Sequence, residues 1–458
     1  MSTAFTESNP LQVAVIGSGP SGFYATESLL KADIPVRVDM YERLPTPYGL
    51  VRSGVAPDHP KLKQAITVYA RIAESEAFRF FGNVNVGEDV SVEELKQAYH
   101  AVVFTCGAQT DRRLGIPGED LRGSHTATEF VGWYNGHPDY RDRQFDLSCE
   151  TAVIIGQGNV AADVSRILAK TVNELKNTDI AQHALEALAE SRVRNIIVAG
   201  RRGPVQAKFT SKELKEFGEL TDCAPYIDPE ELVLNDASRA ELEDKQNANG
   251  RKIFELFQSY STADAGGKSR RVRFTFRKSP VALNGSEVLE GVRFELNRLS
   301  GEPFHQSAEG TGEFLEHECG ILFRSIGYRG VPIPGVPFDD RRGVIPNADG
   351  RVVNGDSPVP QLYVAGWIKR GPTGIIGTNR ADSVATVHSL LDDAETLASL
   401  GHKSGAEEAS RLLQERGIRR VSFPEWEKID RNEIERGEPK GKPREKFTRI
   451  QEMLELLD

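Results

Sequence analysis

Cysteine is scarce in this chain of 458 residues and is poorly placed for redox or metal chemistry. The four cysteines, Cys106, Cys149, Cys223 and Cys319, lie far apart in the sequence, without a Cys-x-x-Cys pair or the spacing of a zinc or iron–sulfur site. Isolated thiols of this kind usually behave as small buried apolar residues. The spacing argues against both a Cys-x-x-Cys redox disulfide and an iron–sulfur cluster.

Long apolar runs are also missing, and the charge balance is acidic. No stretch approaches the roughly 20 apolar residues of a membrane-spanning helix, and the opening MSTAFTESNP lacks the basic and apolar regions of a secretory signal. The formal net charge of −10 argues against non-specific binding of nucleic acid. We therefore expect a cytoplasmic protein that binds neither a membrane nor a nucleic acid.

The first glycine-rich loop lies between a predicted strand and a predicted helix. Gly17, Gly19 and Gly22 form G-x-G-x-x-G, and the next predicted strand, residues 36–41, leads to Glu42. In this context the glycines permit a tight turn, approach of the backbone to a pyrophosphate and close packing of helix on strand. The helix N-terminus offers N–H groups to the phosphates, and an acidic residue about 20 positions later suits ribose hydroxyls. The segment predicts a site for a dinucleotide such as FAD.

A second glycine-rich loop repeats this arrangement with the opposite charge at its end. Gly156, Gly158 and Ala161 form G-x-G-x-x-A between an apolar strand and a predicted helix. The next apolar strand follows a predicted helical insertion and ends at Arg201 and Arg202. Arginines bind a 2′-phosphate through charge-assisted hydrogen bonds, whereas a carboxylate there would repel it. The two loops therefore predict two nucleotides, FAD at the first and NADP(H) at the second.

A third glycine-rich turn precedes a helix that is predicted to begin at about Thr378. The turn consists of Gly374, Ile375, Ile376 and Gly377. The positive end of the helix dipole could stabilise the negative charge that develops on a reduced flavin ring. A helix that is merely capped by Thr378 is the alternative for this segment.

Two dinucleotide loops in one chain predict an α/β fold with two Rossmann-like dinucleotide-binding domains, each built on a largely parallel sheet. We expect the FAD-binding domain to comprise residues 1–108 and 331–458, with the NADP-binding domain, residues 109–330, inserted between them. Residues 269–295 are predicted to form antiparallel strands added to the NADP-binding domain. After about residue 401 the chain is charged and is predicted to be a mostly helical extension.

Several long motifs resemble the adrenodoxin reductase family, and within it the bacterial NADPH–ferredoxin (or flavodoxin) reductases. They include GSGPSGFYATESLLK, YERLPTPYGLVRSGVAPDHPKLK, GQGNVAADVSRIL, GRRGPVQAKFTSKEL and VAGWIKRGPTGIIGTNRADS. The resemblance extends from about Gln12 to Val387. It implies an oxidoreductase of the ferredoxin–NADP(+) reductase type, which transfers a hydride from NADPH to FAD and then single electrons to a ferredoxin or flavodoxin.

The resemblance also implies which residues contact each cofactor. For FAD, besides the glycines of the first loop, these are Ser21, Glu42, Leu50, Val86, Trp367, Gly374, Ile375 and Ile376. For NADP they are Arg112, Gln157, Gly158, Asn159, Val160, Arg201, Arg202, Glu213 and Gly374. Because Arg112 and Arg113 are adjacent, which of the two matches the family position stays open.

Two further residues, His59 and Glu216, match positions that lie near the nicotinamide in the family, and we predict that both are catalytic. The alternatives are a loop histidine held between Pro57 and Pro60, and a glutamate on a solvated helix face.

The resemblance implies a separate partner protein, a small acidic electron carrier, and a monomeric enzyme. The basic strand predicted at Lys268–Lys278, with Arg271, Arg273 and Arg277 on one face, is a candidate docking surface, and an ordinary solvated face is the alternative. Two other functions remain open: an electron-transfer subunit of a larger oxidoreductase, and a non-catalytic sensor that binds NADPH and FAD.

Overall fold

The computed structural model describes residues 5–374 and 376–458. Its strands are, in chain order, β1 Leu11–Ile16, β2 Val36–Glu42, β3 Phe78–Gly82, β4 Ala101–Phe104, β5 Thr110–Asp111, β6 Ser124–Thr126, β7 Thr151–Ile155, β8 Asn195–Ala199, β9 Cys223–Ile227, β10 Arg270–Thr275, β11 Lys278–Asn284, β12 Gly291–Ser300, β13 Ser307–Glu318, β14 Ile321–Arg324, β15 Tyr328–Arg329, β16 Asn347–Ala348, β17 Arg351–Asn354 and β18 Ser357–Val364.

The α-helices are α1 Pro20–Leu30, α2 Leu50–Ser53, α3 Pro60–Lys63, α4 Ala65–Ala73, α5 Val92–Ala98, α6 Ala127–Tyr134, α7 Asn159–Ala169, α8 Val172–Leu175, α9 Gln182–Ala189, α10 Ser211–Lys215, α11 Asp236–Glu243, α12 Ala248–Ser261, α13 Trp367–Arg370, α14 Thr378–Asp392, α15 Ala394–Ala398, α16 Ala406–Glu415, α17 Phe423–Gly437 and α18 Ile450–Glu455. Short 3₁₀ turns occupy Pro138–Tyr140, Pro204–Gln206, Glu216–Glu219, Pro229–Leu232 and Glu438–Lys440. Within the described residues, no helix combines the length and the apolar character needed to cross a membrane.

The first sheet has the strand order β16-β17-β18-β4-β1-β2-β3 in the described part of the chain. Strands β18, β4, β1, β2 and β3 run parallel, and β16 and β17 add an antiparallel edge. The chain crosses from β1 to β2 on one side and later inserts β4 on the other side of β1. The carboxyl end of β1 therefore lies at a topological switch point, where open α/β sheets bind their ligands.

The second sheet, with the order β6-β14-β7-β8-β10-β9, is parallel throughout its described strands. Its central strand β7 lies between β8 and β14, so the second glycine loop also starts at a switch point. The strands of this sheet come from residues 124–324, between the residue 11–104 and 347–364 parts of the first sheet. The predicted α/β fold with two Rossmann-like units is confirmed. We call each sheet with its covering helices the first unit and the second unit.

The region around Lys268–Lys278 differs from the prediction. The strand ends at Thr275 rather than continuing to Lys278, because Arg277 adopts a left-handed conformation with a φ of 53°. Strand β10 lies inside the parallel sheet between β8 and β9, so the antiparallel prediction for residues 269–295 is wrong for this strand. It is correct for β11 and β12, which pair with each other in a separate antiparallel sheet, where β12 also pairs with β13, a strand that extends to Glu318.

Helix α14 packs on α1 through a face that combines polar side chains with the buried apolar residues Val387 and Leu390. Ala381 and Ala385 are exposed, whereas Ser383 and Thr386 are fully buried. The Ser383 hydroxyl donates to the Ser21 carbonyl oxygen at 3.0 Å. Small hydroxyl side chains permit close approach of the two helices and satisfy their own polar atoms on backbone carbonyls.

The C-terminal segment joins the two units. Between α17 and α18, the buried ammonium of Lys446 donates to the carbonyl oxygens of Arg52 and Asn135, both at 3.1 Å, and forms an ion pair with Asp179. Arg52, in α2, also donates two hydrogen bonds to Glu433 of α17. Because Asn135 and Asp179 belong to the second unit and Arg52 to the first, this segment binds both.

Candidate functional site

The first glycine loop has the geometry of a phosphate-binding turn. Gly17 has a φ of 105°, and a Cβ atom on it would lie 2.7 Å from the Cα of Cys106. A Cβ on Gly22 would overlap the carbonyl oxygen of Gly17, whereas a Cβ on Gly19 would meet no atom within 4 Å. Gly19 is also the N-cap of α1, without a side-chain cap. The loop thus leaves free space and unpaired N–H groups at a helix N-terminus, which fit a pyrophosphate.

Glu42 ends strand β2 beside this loop. Its carboxylate accepts hydrogen bonds from the N–H and hydroxyl of Ser18, at 3.2 and 2.6 Å, and from the N–H of Leu44 at 3.1 Å. A carboxylate offers about four acceptor positions, so one remains for a ribose hydroxyl. The position and the chemistry of Glu42 fit the predicted role.

The other residues predicted to contact FAD differ in their exposure. Ser21 and Val86 are buried, Ile376 is half-buried, and Leu50 is more exposed. A Cβ on Gly366, the residue before Trp367, would overlap the hydroxyl of Ser21, so α13 begins directly beside α1. The Trp367 ring stacks on Tyr328, with the ring centroids 5.6 Å apart.

The third glycine-rich turn leads into α14, which begins at Thr378 with Gly377 as its N-cap. Gly374 is exposed and has a φ of 83°. The predicted contact Ile375 lies outside the described residues.

The second glycine loop repeats the geometry of the first. Gly156 has a φ of 140°, and a Cβ on it would overlap the carbonyl oxygen of Ser325. Gly158 is the N-cap of α7 without a side-chain cap, and a Cβ on it would meet no atom within 4 Å.

The residues beside Gly158 hold this second loop in place. The side chain of Gln157 donates to the Thr275 carbonyl oxygen at 2.9 Å, and the side chain of Asn159 accepts from the Thr210 N–H at 2.8 Å. Both side chains are occupied by protein partners, and Val160 is partly buried in the apolar core. This leaves the backbone of the loop to contact a nucleotide.

Arg201 and Arg202 follow strand β8 directly. Among the described residues, neither guanidinium has a hydrogen bond or an ion pair, although the two backbone carbonyls are held by Asn297 and Arg277. Arg202 lines a cavity of about 190 Å³ together with Lys208. Two unpaired guanidinium groups at this place fit the 2′-phosphate of NADP(H), because charge-assisted bidentate hydrogen bonds favour that ligand.

His59 and Glu216 meet between the two units. The Nε2 atom of His59 lies 2.7 Å from Glu216 Oε2 and 3.5 Å from Glu213 Oε2. His59 is 7% exposed and the Glu216 side chain 23%, so a solvated helix face does not describe Glu216. Burial alone would lower the pKa of His59, but the hydrogen bond with Glu216 and the nearby carboxylates raise it. Burial also raises the pKa of Glu213.

Comparisons with known proteins agree with this geometry. The family model described as pyridine nucleotide-disulphide oxidoreductase matches residues 11–205. The chain is 46% identical to the mitochondrial NADPH:adrenodoxin oxidoreductase of Salvelinus fontinalis, over 100% of this chain and 93% of that protein. It is 45% identical to the NADPH-ferredoxin reductase FprA of Mycobacterium leprae, over 97% of this chain and 98% of that protein.

The chain belongs to the adrenodoxin reductase family. The structure of Mycobacterium tuberculosis FprA in complex with NADPH superimposes on it with a TM-score of 0.92, at 43% identity, over 98% of this chain and 99% of that one. The resemblance that the sequence motifs indicate is therefore confirmed over nearly the whole chain.

In this member of the family, Arg112 and Arg113 have different surroundings. Arg113 forms an ion pair with Asp120 at 2.6 Å and lies 3.5 Å from Glu119. The Arg112 side chain has no ion pair or hydrogen bond to any described residue, and its backbone N–H donates to Gly327. Arg112 is therefore the arginine of the pair that is available to a nucleotide.

Sequence reasoning missed the arginine at the centre of the His59 site. Arg166 of α7 is fully buried and contacts Asp58, Asp163 and Glu213. The spacing of Asp163 and Arg166, three residues apart on one helix, is a visible pairing signal. This spacing does not reveal that the same face of α7 contacts the first unit.

The predicted docking strand uses most of its cations internally. Arg270 donates to carbonyl oxygens at the C-terminus of α7, Arg277 to those of residues 230–233, and Lys278 forms a buried ion pair with Glu231. Arg271 is exposed and Arg273 half-buried. These contacts favour a structural role for the strand over the docking of an electron carrier.

The cysteines offer no redox disulfide beside the first loop. All four are free thiols; Cys223 and Cys319 are buried as predicted, while Cys106 and Cys149 are half-buried. Cys106 lies against Gly17, and burial raises the pKa of its thiol to about 12. A thiol with such a pKa stays protonated and unreactive at neutral pH.

Proposed function

We propose that this protein is an FAD-dependent ferredoxin–NADP(+) reductase, which oxidises NADPH and reduces a small electron-carrier protein. FAD, when bound, accepts the two electrons of a hydride together and passes them on singly. The observation that carries the proposal is the pair of uncapped helix N-termini at two switch points. The Glu42 carboxylate ends the strand that comes after the first of these helices, and the unpaired guanidinium groups of Arg201 and Arg202 follow the strand that comes after the second. Full-length relatives named as NADPH-dependent reductases of adrenodoxin or ferredoxin support it.

The residues of the chain divide the work of binding between the two units. The N–H groups at the start of α1 bind the FAD pyrophosphate, and Glu42 binds the ribose of its adenosine. The N–H groups at the start of α7 bind the NADPH pyrophosphate, while Arg201 and Arg202 bind the 2′-phosphate. Trp367, which follows Gly366 beside α1, would cover the flavin, and Arg112 would contact NADPH. Each nucleotide is therefore held by its own unit.

His59 and Glu216 are placed to hold a proton near the nicotinamide. The short hydrogen bond from His59 Nε2 to Glu216 Oε2 favours a charged pair, since the pKa of His59 is raised and that of Glu216 is lowered. Hydride transfer itself needs no acid or base. The pair instead contributes orientation and a fixed local charge beside the reacting ring.

The same proposal divides the chain into an FAD-binding domain, residues 1–108 and 331–458, and an inserted NADP-binding domain, residues 109–330. The residues of the two sheets support these boundaries, and so does the pairing of β5 with β15, which brings the two crossings together. We further take the protein to be a cytoplasmic monomer that serves an acidic ferredoxin or flavodoxin. Sedimentation of the purified protein tests whether it is a monomer, and assays with ferredoxin and with flavodoxin test which carrier it reduces.

An anaerobic titration of the flavin absorbance tests the function directly. NADPH should bleach the FAD band of the purified protein, and NADH should need a concentration higher by roughly 100-fold, since two charge-assisted hydrogen bonds are lost. The double variant Arg201→Ala/Arg202→Ala should respond equally to both nucleotides. Arg271→Ala, which removes an exposed arginine from the same unit, is the matched control and should keep the NADPH preference.

The re-oxidation of the reduced protein separates the competing functions. Rapid re-oxidation by a ferredoxin supports the reductase. A protein that is bleached by NADPH but passes electrons to neither ferredoxin nor flavodoxin would fit a sensor or a subunit of a larger enzyme. A protein that binds no flavin would contradict the proposal.

A further inference from the structure

The buried guanidinium of Arg166 connects the two units. It extends from α7, the helix that starts at the second glycine loop, and its side chain has no solvent exposure. The Nε and Nη2 atoms donate to the two carboxylate oxygens of Asp58 at 2.7 and 3.1 Å. Asp58 immediately precedes His59 in the loop between α2 and α3 of the first unit. A bidentate pair therefore fixes the His59 loop on the NADP-side helix.

The same guanidinium contacts the other carboxylates around His59. Nη2 donates to Asp163 at 2.7 Å and Nη1 to Glu213 at 3.2 Å, and Nε lies 3.5 Å from Glu216 Oε2. A planar group with five N–H donors can hold this arrangement, whereas the single ammonium of lysine cannot. The positions of both glutamates beside His59 thus depend on Arg166.

Charge explains why the cluster needs this arginine. The groups that face His59 and Arg166 are Asp58 from the α2–α3 loop, Asp163 and Lys170 from α7, Glu213 and Glu216 from the α10 region, and the Tyr134 phenol from α6. Four carboxylates thus face two permanent cations and His59. Removing the arginine would leave several buried carboxylates unpaired, which is costly unless they take up protons or move apart.

We propose that Arg166 is a positioning residue for hydride transfer, which holds His59 and Glu216 against the start of the NADPH-binding helix. This inference rests on the proposed reductase function. Arg166 lies more than a turn beyond the glycine loop on a rigid helix, so it sets the angle between that loop and the His59 loop. Its loss should slow the transfer step more than it weakens NADPH binding, because near-attack geometry is more sensitive than affinity.

The test uses the FAD-loaded protein with Arg166→Lys and Arg166→Met. Arg166→Lys should lower the rate of anaerobic flavin reduction by roughly 10-fold, with the Kd for NADPH within roughly 2-fold of the parent protein. NMR titration of the His59 imidazole gives a second reading that needs no activity. Because the charge of Arg166 lowers the pKa of His59, Arg166→Met should shift this titration upward.

Asp58→Asn provides the opposite shift and a safeguard if Arg166→Met does not fold. The Asp58 charge raises the pKa of His59, so its removal should shift the titration downward, while flavin reduction slows as in Arg166→Lys. Opposite shifts of the two titrations would show that both charges act on His59, and slower flavin reduction at an unchanged Kd would show that they position it. The effect of Arg166→Lys on the rate should also shrink when His59→Gln is already present.

Arg270→Met is the matched control. Arg270 is a second arginine of the same unit that donates to carbonyl oxygens at the end of the same helix, and among the described residues it has no ion pair with the carboxylates around His59. Its loss should lower the melting temperature and leave the His59 titration and the reduction rate per bound flavin unchanged. The inference is overturned if Arg166→Lys reduces its flavin at the parent rate, or if Arg166→Met and Asp58→Asn leave the His59 titration in place. Absence of reduction in the parent protein would contradict the reductase function alone.

Discussion

The two glycine loops share one backbone geometry and differ in what stands at the end of the next strand. In each, the first glycine has a positive φ, the second is an uncapped helix N-cap, and the space beside that N-cap is open. The first unit ends its strand with Glu42, which three protein donors hold in place. The second unit ends its strand with two arginines that bind no described side chain. The group that we propose binds the FAD ribose is therefore fixed in advance, whereas the groups that we propose bind the 2′-phosphate are unpaired among the described residues.

This difference follows from the charge of the ligand. A carboxylate that binds neutral hydroxyls binds them more tightly when its position is fixed in advance. Fixing it also keeps its negative charge away from the phosphates, which it would repel. Guanidinium groups that await a phosphate gain from remaining unpaired, because an internal carboxylate partner would compete with the ligand. The comparison predicts that the two loops can be disabled separately.

The largest effects are expected from Gly19→Ala and Gly158→Ala, a matched pair. A Cβ at either position meets no protein atom within 4 Å, so both variants should fold. The added methyl group occupies the approach of the pyrophosphate, and each change should weaken its nucleotide by roughly 100-fold. Gly19→Ala should be purified without FAD, whereas Gly158→Ala should keep FAD and lose NADPH affinity. Flavin content and NADPH titration measure the two effects; loss of FAD from Gly158→Ala would contradict the separation.

Glu42→Gln should weaken FAD binding by about 10-fold, a smaller effect than that of Gly19→Ala. Three donors converge on the two Glu42 oxygens, and an amide offers only one acceptor oxygen, so Ser18 or Leu44 loses its partner. The dissociation constant of FAD, measured by fluorescence recovery on dilution, reports the change. Glu76→Gln, an exposed glutamate of the same unit, is the control. An unchanged dissociation constant would show that the Glu42 charge does not bind the ribose.

Both loops could be predicted from the sequence because each motif is contained in a short contiguous stretch. Strand, glycine turn, helix and the charged residue at the next strand end follow one another, so local spacing carries the chemistry of Glu42, Arg201 and Arg202. The third glycine turn was predicted on the same basis, although Ile375 lies outside the described residues. The buried hydroxyl groups of α14 could not be predicted, because they donate to backbone carbonyls that no periodicity reveals.

The charge cluster around His59 could not be assembled from spacing alone. Asp58 and Arg166 are far apart in the sequence and meet only because α7 of the second unit packs against the α2–α3 loop of the first. The end of β10 was missed for a related reason, since the conformation of Arg277 depends on carbonyl oxygens of residues 230–233. In both places a long-range partner decides the local structure.

The C-terminal segment, which binds both units, predicts a pH dependence of stability. Burial lowers the pKa of Lys446 to about 7, below the roughly 10.4 of an unfolded lysine. Between these values the unfolded chain binds more protons, so the contribution of Lys446 to stability rises with pH from about 7 to 10. The urea midpoint should therefore increase less over this range in Lys446→Met than in the parent protein. Lys212→Met serves as the control, and equal pH dependence in all three proteins would contradict the assignment.

The smallest expected effect is that of salt concentration on nucleotide binding. It distinguishes the Glu42 site from the Arg201 and Arg202 site without any substitution. Arg201, which we propose binds the 2′-phosphate, has an exposed side chain, where screening is effective once the Debye length falls to about 3 Å at 1 M salt. The Kd for NADPH should rise several-fold, roughly 3- to 10-fold, between low and high salt. FAD retention, which depends on hydrogen bonds to the partly buried Glu42 and on backbone N–H groups, should change less. Equal salt sensitivity of the two nucleotides would mean that the guanidinium groups do not bind the 2′-phosphate. In that case the charge difference between the two strand ends would not affect nucleotide binding, and the two loops would be alike in their shared backbone geometry.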